Sequence, residues 1–375
     1  MSDEEELVRQ TAREFARNEI EPVALEYERS GTYPRDLIGE AAAVGLTAPS
    51  LPVEYGKSGF GPVGRATIFD ELHRADPGIA ESITAATSGC GVITENGSEE
   101  QAGRYVEPAA FGRDRHGRRD DRTARGRTSR TSGRPPDARA TSTSSTATKC
   151  SSPTVASPTR SSCTPGRAMS TPPHRDISAF VLNADYDGID RTKMDIYLGP
   201  STVDLGQRFL DEVRVPADAL VGEEDEGFYY AMEMMDESRP EVAASAVGAA
   251  RGAIDRATDY VRDRDAFDRN VVDYQSAHHR IADPETRLEA ARSLTYETAR
   301  EMENGTLEGC RKLSMAKLFA SELCEEVVSE RSSFTGVRRV RRVPRRVVLQ
   351  VDEGHLNLRG TNATMRVVIA DDVIG

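Results

Sequence analysis

The stretch from Gly222 to Gln275 limits the fold more than any other part of the chain. Apolar or small residues recur at Met235, Val242, Ala246, Ala250, Ala253, Ala257 and Val261, in steps of three, four or seven. Such spacing buries one face of a long helix. Asp255, Arg256, Asp259, Arg262 and Asp263 fall on the opposite face. Pro240 lacks the amide hydrogen that an interior turn needs, so it is expected to start a helix or kink one. The small residues from Ala243 to Ala250 let a neighbouring helix come close. Gly248 and Gly252 serve the same packing; no strand precedes them, so they are not a dinucleotide fingerprint. The period by itself predicts a core helix of an α-rich domain and no particular chemistry.

The rest of the chain adds helices and a middle strand region. Residues 3–29 predict a helix with Leu7, Phe15 and Val23 among its apolar positions and Glu4, Glu5 and Glu6 favourable near its N-terminus. Tyr33-Pro34 ends it, and Asp36 is placed to cap a second helix through Gly45. A Pro- and Gly-rich loop follows from Ala48 to Gly61, then a helix over about Val63 to Ala75. Ser98 is the expected N-cap of another, with Glu99 and Glu100 in its first turn. From Ile177 to Val221 short alternating strands are separated by turns such as Asp187-Gly188, as in an antiparallel sheet. Further helices are expected over about Ser276–Met302, with Pro284 kinking it, and Leu313–Ser329.

Composition narrows the class. The 375 residues allow two or three domains at about 100–200 residues each. No apolar run approaches the roughly 20 residues of a membrane span, so no membrane partner is expected. The N-terminus is acidic and has no apolar signal region, which predicts a cytoplasmic protein. Cys90, Cys150, Cys163, Cys310 and Cys324 are too scattered for a disulfide framework or a zinc site, and no metal is expected.

The residues themselves resemble the acyl-CoA dehydrogenase family of flavoproteins. In the opening stretch the resemblance is carried by Gly222-Glu223-x-x-Glu226-Gly227-Phe228, Asp236-x-x-Arg239, the small-residue helix, Arg264-x-x-Phe267 and Gln275. Elsewhere it is carried by the loop APSLPVEYGKSGFG, by Asp70-Glu71-Leu72-x-Arg74-Ala75-Asp76 and by Val213-Arg214-Val215-Pro216. LSMAKLFASELCEEVVS (313–329) and Arg359-Gly360-Thr361-Asn362 complete it. In the loop, Lys57 stands where a second Gly is usual; later, Gly206-Gln207-Arg208 disturbs a strand. The resemblance implies a mostly α fold with a middle β-domain: an N-terminal helical domain over 1–111, a β-barrel-like domain over 112–222 and a C-terminal four-helix bundle over 223–375. It implies α,β-dehydrogenation of an acyl-CoA with FAD as cofactor, an electron-transferring flavoprotein as electron acceptor, and a homotetramer or homodimer.

Two stretches break the resemblance. Residues 112–175 are Arg-, Ser-, Thr- and Pro-rich, with 13 Arg and one Lys against four Asp, a net +10. The remaining residues then carry −23 of the chain's formal −13. Such an acidic, lysine-poor remainder suits a salt-loving organism, where ions screen self-repulsion; an ordinary acidic enzyme is the alternative. Residues 331–349 hold seven arginines where the family has a Gln-x-x-Gly-Gly loop. Both stretches stop and start sharply at near-constant length, as compensating frameshifts in GC-rich codons would produce. We expect 113–175 to be disordered. The competing reading is a natural Arg-rich arm that binds nucleic acid; the frameshift reading implies no nucleic-acid partner.

The resemblance also implies roles. Arg264, Phe267 and Gln275 match positions at the diphosphate and adenine side of FAD, where an Arg fork suits phosphate oxygens. Thr361 and Asn362 match positions on the flavin side. Asp236 and Arg239 match positions near the coenzyme A moiety, with a plain helix-surface ion pair as the alternative. Tyr229, Met232 and Met235 are candidates to line the acyl tunnel, though an apolar stripe is also what a core needs. The reaction requires a base for the α-proton, which the family commonly supplies as the Glu of Glu-Gly-Thr. Arg359 stands there, and Ser238 stands where another branch places a Glu, so the base is missing, with Glu237 adjacent. His278-His279 are read as a solvated helix start.

Overall fold

Ser2 accepts the Glu5 amide while the Glu5 carboxylate takes the Ser2 amide, a reciprocal cap on α1 (Asp3–Phe15). The computed structural model describes residues 2–55, 59–111, 138–148, 154–155, 159–160, 177–183, 186–193, 202–203, 205–266, 268–335 and 360–375. Its described part is mostly helical with a middle strand region, as the sequence implies.

The chain divides into two units. The first comprises Met1–Ala85, Ile196–Val203 and Met235–Gly375; the second comprises Ala86–Asp195 and Asp204–Met234. In the first unit, α1 continues through a π-turn over Ala16–Ile20, and α2 (Ala24–Ser30) follows. The single helix expected over 3–29 is therefore interrupted, and its buried stripe is Val8, Ala12 and Phe15 while Leu7 is exposed. α3 (Arg35–Ala43) starts after Pro34 with no side-chain cap, so Asp36 sits in the first turn and does not cap it. α4 (Pro62–Ala75) and α5 (Pro77–Thr84) each begin at a proline, whose missing amide hydrogen costs nothing there. Asp76 separates them and accepts the Ile79 amide at 2.9 Å.

The second unit holds α6 (Cys90–Asn96), α7 (Glu99–Gln101), a π-turn over Ala102–Val106, and α8 (Glu107–Ala110). Ser98 caps α7 as expected, in a reciprocal box with Gln101. The Gln101 amide nitrogen also donates to the carbonyls of Asp218 and Leu220, at 2.8 and 2.7 Å. The strands are β1 (Ala138–Thr148), β2 (Thr154–Val155), β3 (Thr159–Arg160), β4 (Ile177–Leu182), β5 (Ile189–Lys193), β6 (Leu205–Val215) and β7 (Leu220–Val221). One antiparallel sheet runs β1-β6-β5; in another β4 pairs with β2, β3 and β7. Phe180 and Leu182 of β4, Val213 and Val215 of β6, and Ala219 form one apolar core of this unit.

Two expectations change here. Within 113–175, expected to be disordered, β1, β2 and β3 are strands; the rest of that stretch lies outside the described residues. Threonine is a good strand former, and a strand can be held by backbone hydrogen bonds alone. The β1–β6 register shifts twice, between Ala140 and Ser142 and between Ser142 and Ser145. Gly206-Gln207-Arg208 does not break its strand: these residues pair in regular register with Lys193, Thr192 and Arg191.

α9 (Gly227–Asp263) is the long helix that the small-residue period predicts. Pro240 lies inside it, buried, and does not start a helix. Val242, Ala246, Ala250, Ala253, Ala257 and Val261 are all buried. Of these, Ala246, Ala250 and Ala253 share a core with Leu288 and Ala291 of α10 (Gln275–Glu303) and with Ala316, Ala320 and Leu323 of α11 (Arg311–Thr335). Pro284 is likewise buried within α10. The last helix, α12 (Asn362–Ile374), packs on α11.

The glycines on α9 show how close the packing is. A Cβ at Gly248 would lie 2.2 Å from the Asp70 carbonyl oxygen, and one at Gly252 would lie 2.1 Å from that of Arg74. Backbone cannot give way as a flexible side chain can. Gly248→Ala is therefore expected to destabilise the protein by about 1–3 kcal/mol despite alanine's better helix propensity. A thermal melt equal to or above that of the unmodified protein would remove this account.

Candidate active site

The face of α11 that packs inward follows the helical step: Leu313, Ser314, Ala316, Lys317, Ala320, Ser321, Leu323 and Cys324 are buried. A lysine in that stripe is out of place for an apolar core, and its ammonium must find acceptors. It donates to the Gly360 carbonyl at 3.0 Å and to Asn362 Oδ1 at 2.7 Å. Asn362 Nδ2 donates to Ser321 Oγ at 3.0 Å. The turn entering α12 is thus fastened to α11. Gly360 has φ +106°, a left-handed value that favours glycine. Thr361 caps α12, its hydroxyl accepting the Thr364 amide at 3.2 Å.

One turn earlier on α11, Ser314 Oγ accepts from buried Arg239 of α9 at 3.4 Å. Arg239 pairs with Asp236 at 2.5 Å, and Asp236 accepts from the Cys310 thiol at 3.0 Å. Arg239 Nε is buried without a hydrogen-bond partner. Burial, and then the Asp236 carboxylate, push the Cys310 thiol pKa up. Burial chiefly, with the charge of Arg239, holds Lys317 down at about 8 from 10.5; Glu322 opposes this.

The sign of the resulting pH dependence follows from linkage. Between about pH 8 and 10.5 the unfolded chain holds the Lys317 proton and the folded chain does not, so stability rises with pH. Below pH 8 both states are protonated and the folded state carries the full cost of burying the charge. Lys317→Met is expected to remove this slope, which is at most about 1.4 kcal/mol per pH unit. Identical urea midpoints against pH for the two proteins would contradict it.

The predicted site residues fall into separate groups. Tyr229, Met232, Asp236 and Arg239 lie on one face of α9, in steps of three and four. Tyr229 is exposed and edge-on to Phe228, and Met232 is half-buried. Met235 is half-buried on the same helix. Arg264 follows α9, its carbonyl accepting the Val271 amide at 2.7 Å and its side chain exposed. A two-strand ribbon, β8 (Asp265–Ala266) with β9 (Arg269–Asn270), comes next. Gln275 is exposed at the start of α10, as are His278 and His279. Phe267 and Arg359 lie outside the described residues. Among the described residues no group of His, Cys, Asp or Glu could hold a metal ion, and no helix is long and apolar enough to cross a membrane.

Two clefts stand apart from all of these. One of about 830 Å³ in the first unit is lined by Arg13, Glu71, Arg74, Asp76, Asp255 and Arg256, among others. The other, of about 490 Å³ in the second unit, is lined by Ser98, Gln101, Tyr105 and Asp218, among others. Arg256, expected on the solvated face, instead donates to the Arg74 and Ala75 carbonyls at 3.2 Å, capping the C-terminal end of α4. Sequence reasoning also missed Lys317. The available signal was a lone cation inside the otherwise apolar or small stripe of α11.

Two family models match the chain: "Acyl-CoA dehydrogenase, N-terminal domain" over residues 2–113 and "Acyl-CoA dehydrogenase, C-terminal domain" over residues 225–342. Together they span more than half of it. The chain is 28% identical over 340 residues to the caffeyl-CoA reductase-Etf complex subunit CarC of Acetobacterium woodii, covering 88% of this chain and 87% of that one. Identity and coverage are the same for the short-chain-specific acyl-CoA dehydrogenase of Clostridium acetobutylicum. Butyryl-CoA dehydrogenase from Megasphaera elsdenii shares the fold, with a TM-score of 0.79 at 23% identity, covering 100% of this chain and 99% of that chain.

Proposed function

The chain belongs to the acyl-CoA dehydrogenase family of FAD-dependent oxidoreductases, and from that premise we propose that its fold serves conversion of an acyl-CoA thioester to the trans-2-enoyl-CoA. The observation that carries this reading is the Gly360–Asn362 turn. It stands directly after the family's base position and is fastened over Lys317, one helical turn along α11 from Ser314, which accepts from Arg239. Tyr229, Met232, Asp236 and Arg239 are proposed to face substrate, the first two toward the acyl chain and the last two toward the coenzyme A moiety. The domain division 1–111, 112–222 and 223–375 belongs to the same proposal. So do the homotetramer or homodimer, a saline cytoplasm, and an electron-transferring flavoprotein as acceptor; a relative named as part of an Etf complex supports the last.

FAD, when bound, supplies the oxidant that takes two electrons and hydrogen from the β-carbon. The residues present fit one end of it. Arg264 and Gln275 are exposed and suit the diphosphate and adenine side. The side chains of Thr361 and Asn362 are engaged in capping α12 and in bonding Lys317 and Ser321, so a flavin-side role for them rests on backbone groups. The α-proton needs a carboxylate, and Arg359 cannot accept it. We therefore propose that the chain becomes a working dehydrogenase when residues 112–175 and 331–358 are returned to the family's reading frame, with Glu at 359. The test offers that restored protein straight-chain acyl-CoA thioesters from four to sixteen carbons with an artificial electron acceptor. The expected product is the enoyl-CoA, two mass units lighter; no such product from any thioester overturns the proposal.

A further inference from the structure

We propose that Cys310 is a positioning residue for the Asp236–Arg239 pair, its thiol holding the carboxylate so that Arg239 Nε is left open to an oxygen of the coenzyme A moiety. The inference rests on the reading that Asp236 and Arg239 face that moiety. A carboxylate beside an arginine often closes on it with both oxygens, in the two parallel bonds of the guanidinium fork. Here the two oxygens are divided. Oδ1 takes Arg239 Nη1 at 2.5 Å, and Oδ2 takes the Cys310 thiol at 3.0 Å. Ser314 Oγ accepts from the same Nη1 at 3.4 Å. Nε therefore has no acceptor among the described residues, although the Arg239 side chain is only 8% exposed. A buried donor of a charged group is costly to leave unmatched, so this one points to a ligand oxygen. The Asp236 side chain is 32% exposed, which leaves the pair reachable from solvent. The backbone places the thiol for this task. The Cys310 carbonyl accepts the Ser314 amide at 3.0 Å, so the first turn of α11 fixes both groups that engage the pair. The thiol stays protonated, as a donor must, because burial and the Asp236 carboxylate push its pKa up. A hydroxyl would serve as well; a methyl would free Oδ2 to swing onto the guanidinium.

Two measurements on the full chain as it stands test this. In titration calorimetry with free coenzyme A, Cys310→Ala is expected to weaken binding by about fivefold or more, and Cys310→Ser to keep it within about twofold. Should Cys310→Ala not fold, Cys310→Val, which also lacks the donor, decides by the same thresholds. Binding by Cys310→Ala equal to that of the unmodified chain overturns the proposal, and so does a loss in Cys310→Ser as large as in Cys310→Ala. The second measurement follows alkylation of Cys310 by iodoacetamide against pH, read on its own peptide by mass spectrometry. The charged groups acting on the thiol are Asp236, which holds the proton on, and Arg239, which opposes this. Asp236→Asn is expected to move the alkylation midpoint to lower pH by about half a unit or more. An unmoved midpoint overturns the hold of the thiol on Asp236. If the unmodified chain binds no coenzyme A, it is the reading of Asp236 and Arg239 as facing that moiety that fails; the alkylation profile still judges Cys310.

Discussion

The 375-residue chain, expressed in high salt, is expected to bind FAD roughly 10²–10⁴-fold more weakly than a version with both Arg-rich segments returned to the family's frame. The estimate comes from what each segment replaces. The family's ring-contacting Thr-Glu-x-x-x-Gly-Ser-Asp phrase and its Gln-x-x-Gly-Gly loop are absent from 112–175 and 331–358. Losing two charge-assisted hydrogen bonds, at about 1.5–3 kcal/mol each, gives that range. Catalysis suffers separately: a general base contributes about 10²–10⁴-fold, and the cation Arg359 cannot serve as one. Flavin absorbance per chain, and bleaching on adding acyl-CoA, measure the two losses independently. Equal flavin content and equal bleaching from both proteins would sink the argument, and Glu237 would then be the first carboxylate to test as base. The coding DNA gives a prior check. Another frame across these segments is expected to encode the two phrases, and failure to find them would favour a natural basic arm.

Asp70→Ala is expected to destabilise the first unit by about 3–5 kcal/mol. The Asp70 carboxylate is fully buried, with Arg251 at 2.6 Å, Arg292 at 3.4 Å and the Tyr296 hydroxyl at 3.0 Å. Beside it, buried Glu71 takes two hydrogen bonds from Arg13 and faces Arg251 at 3.6 Å. Removing Asp70 takes from Arg251 its 2.6 Å partner, leaving it only Glu71 at 3.6 Å, and takes from the Tyr296 hydroxyl its Asp70 acceptor. A buried charge that loses its main partner costs more than the pair contributed. Burial pushes the Glu71 pKa up, but the Arg13 hydrogen bond and the charges of Arg251 and Arg13 outweigh it, leaving it below 4.5. The stability from Glu71 is therefore present above about pH 4.5 and lost as pH falls through the lowered folded value. A urea midpoint for Asp70→Ala matching that of the unmodified chain would show the network to be dispensable. So would a loss no larger than that of an exposed ion pair such as Arg287–Glu326.

Local chemistry was legible in the sequence. The small-residue period gave α9 its buried face, Ser98 declared its cap, and the two glycines declared a close neighbour, because each depends on residues within a turn or two. The motif order carried the family, and with it the layout of helices around a strand region. What the tertiary structure decided lies between segments far apart in the chain. Arg251 meets Asp70 across 181 residues, Lys317 meets Gly360 across 43, and Arg256 turns from the expected solvated face to the end of α4. No period records such pairs, since a cation's partner is set by which helix ends come together in space. The β1 strand shows the same limit from the other side. A Ser- and Thr-rich run has no apolar alternation to announce a strand, yet β6 offers it backbone partners, and hydrogen bonding to a neighbour decides its conformation.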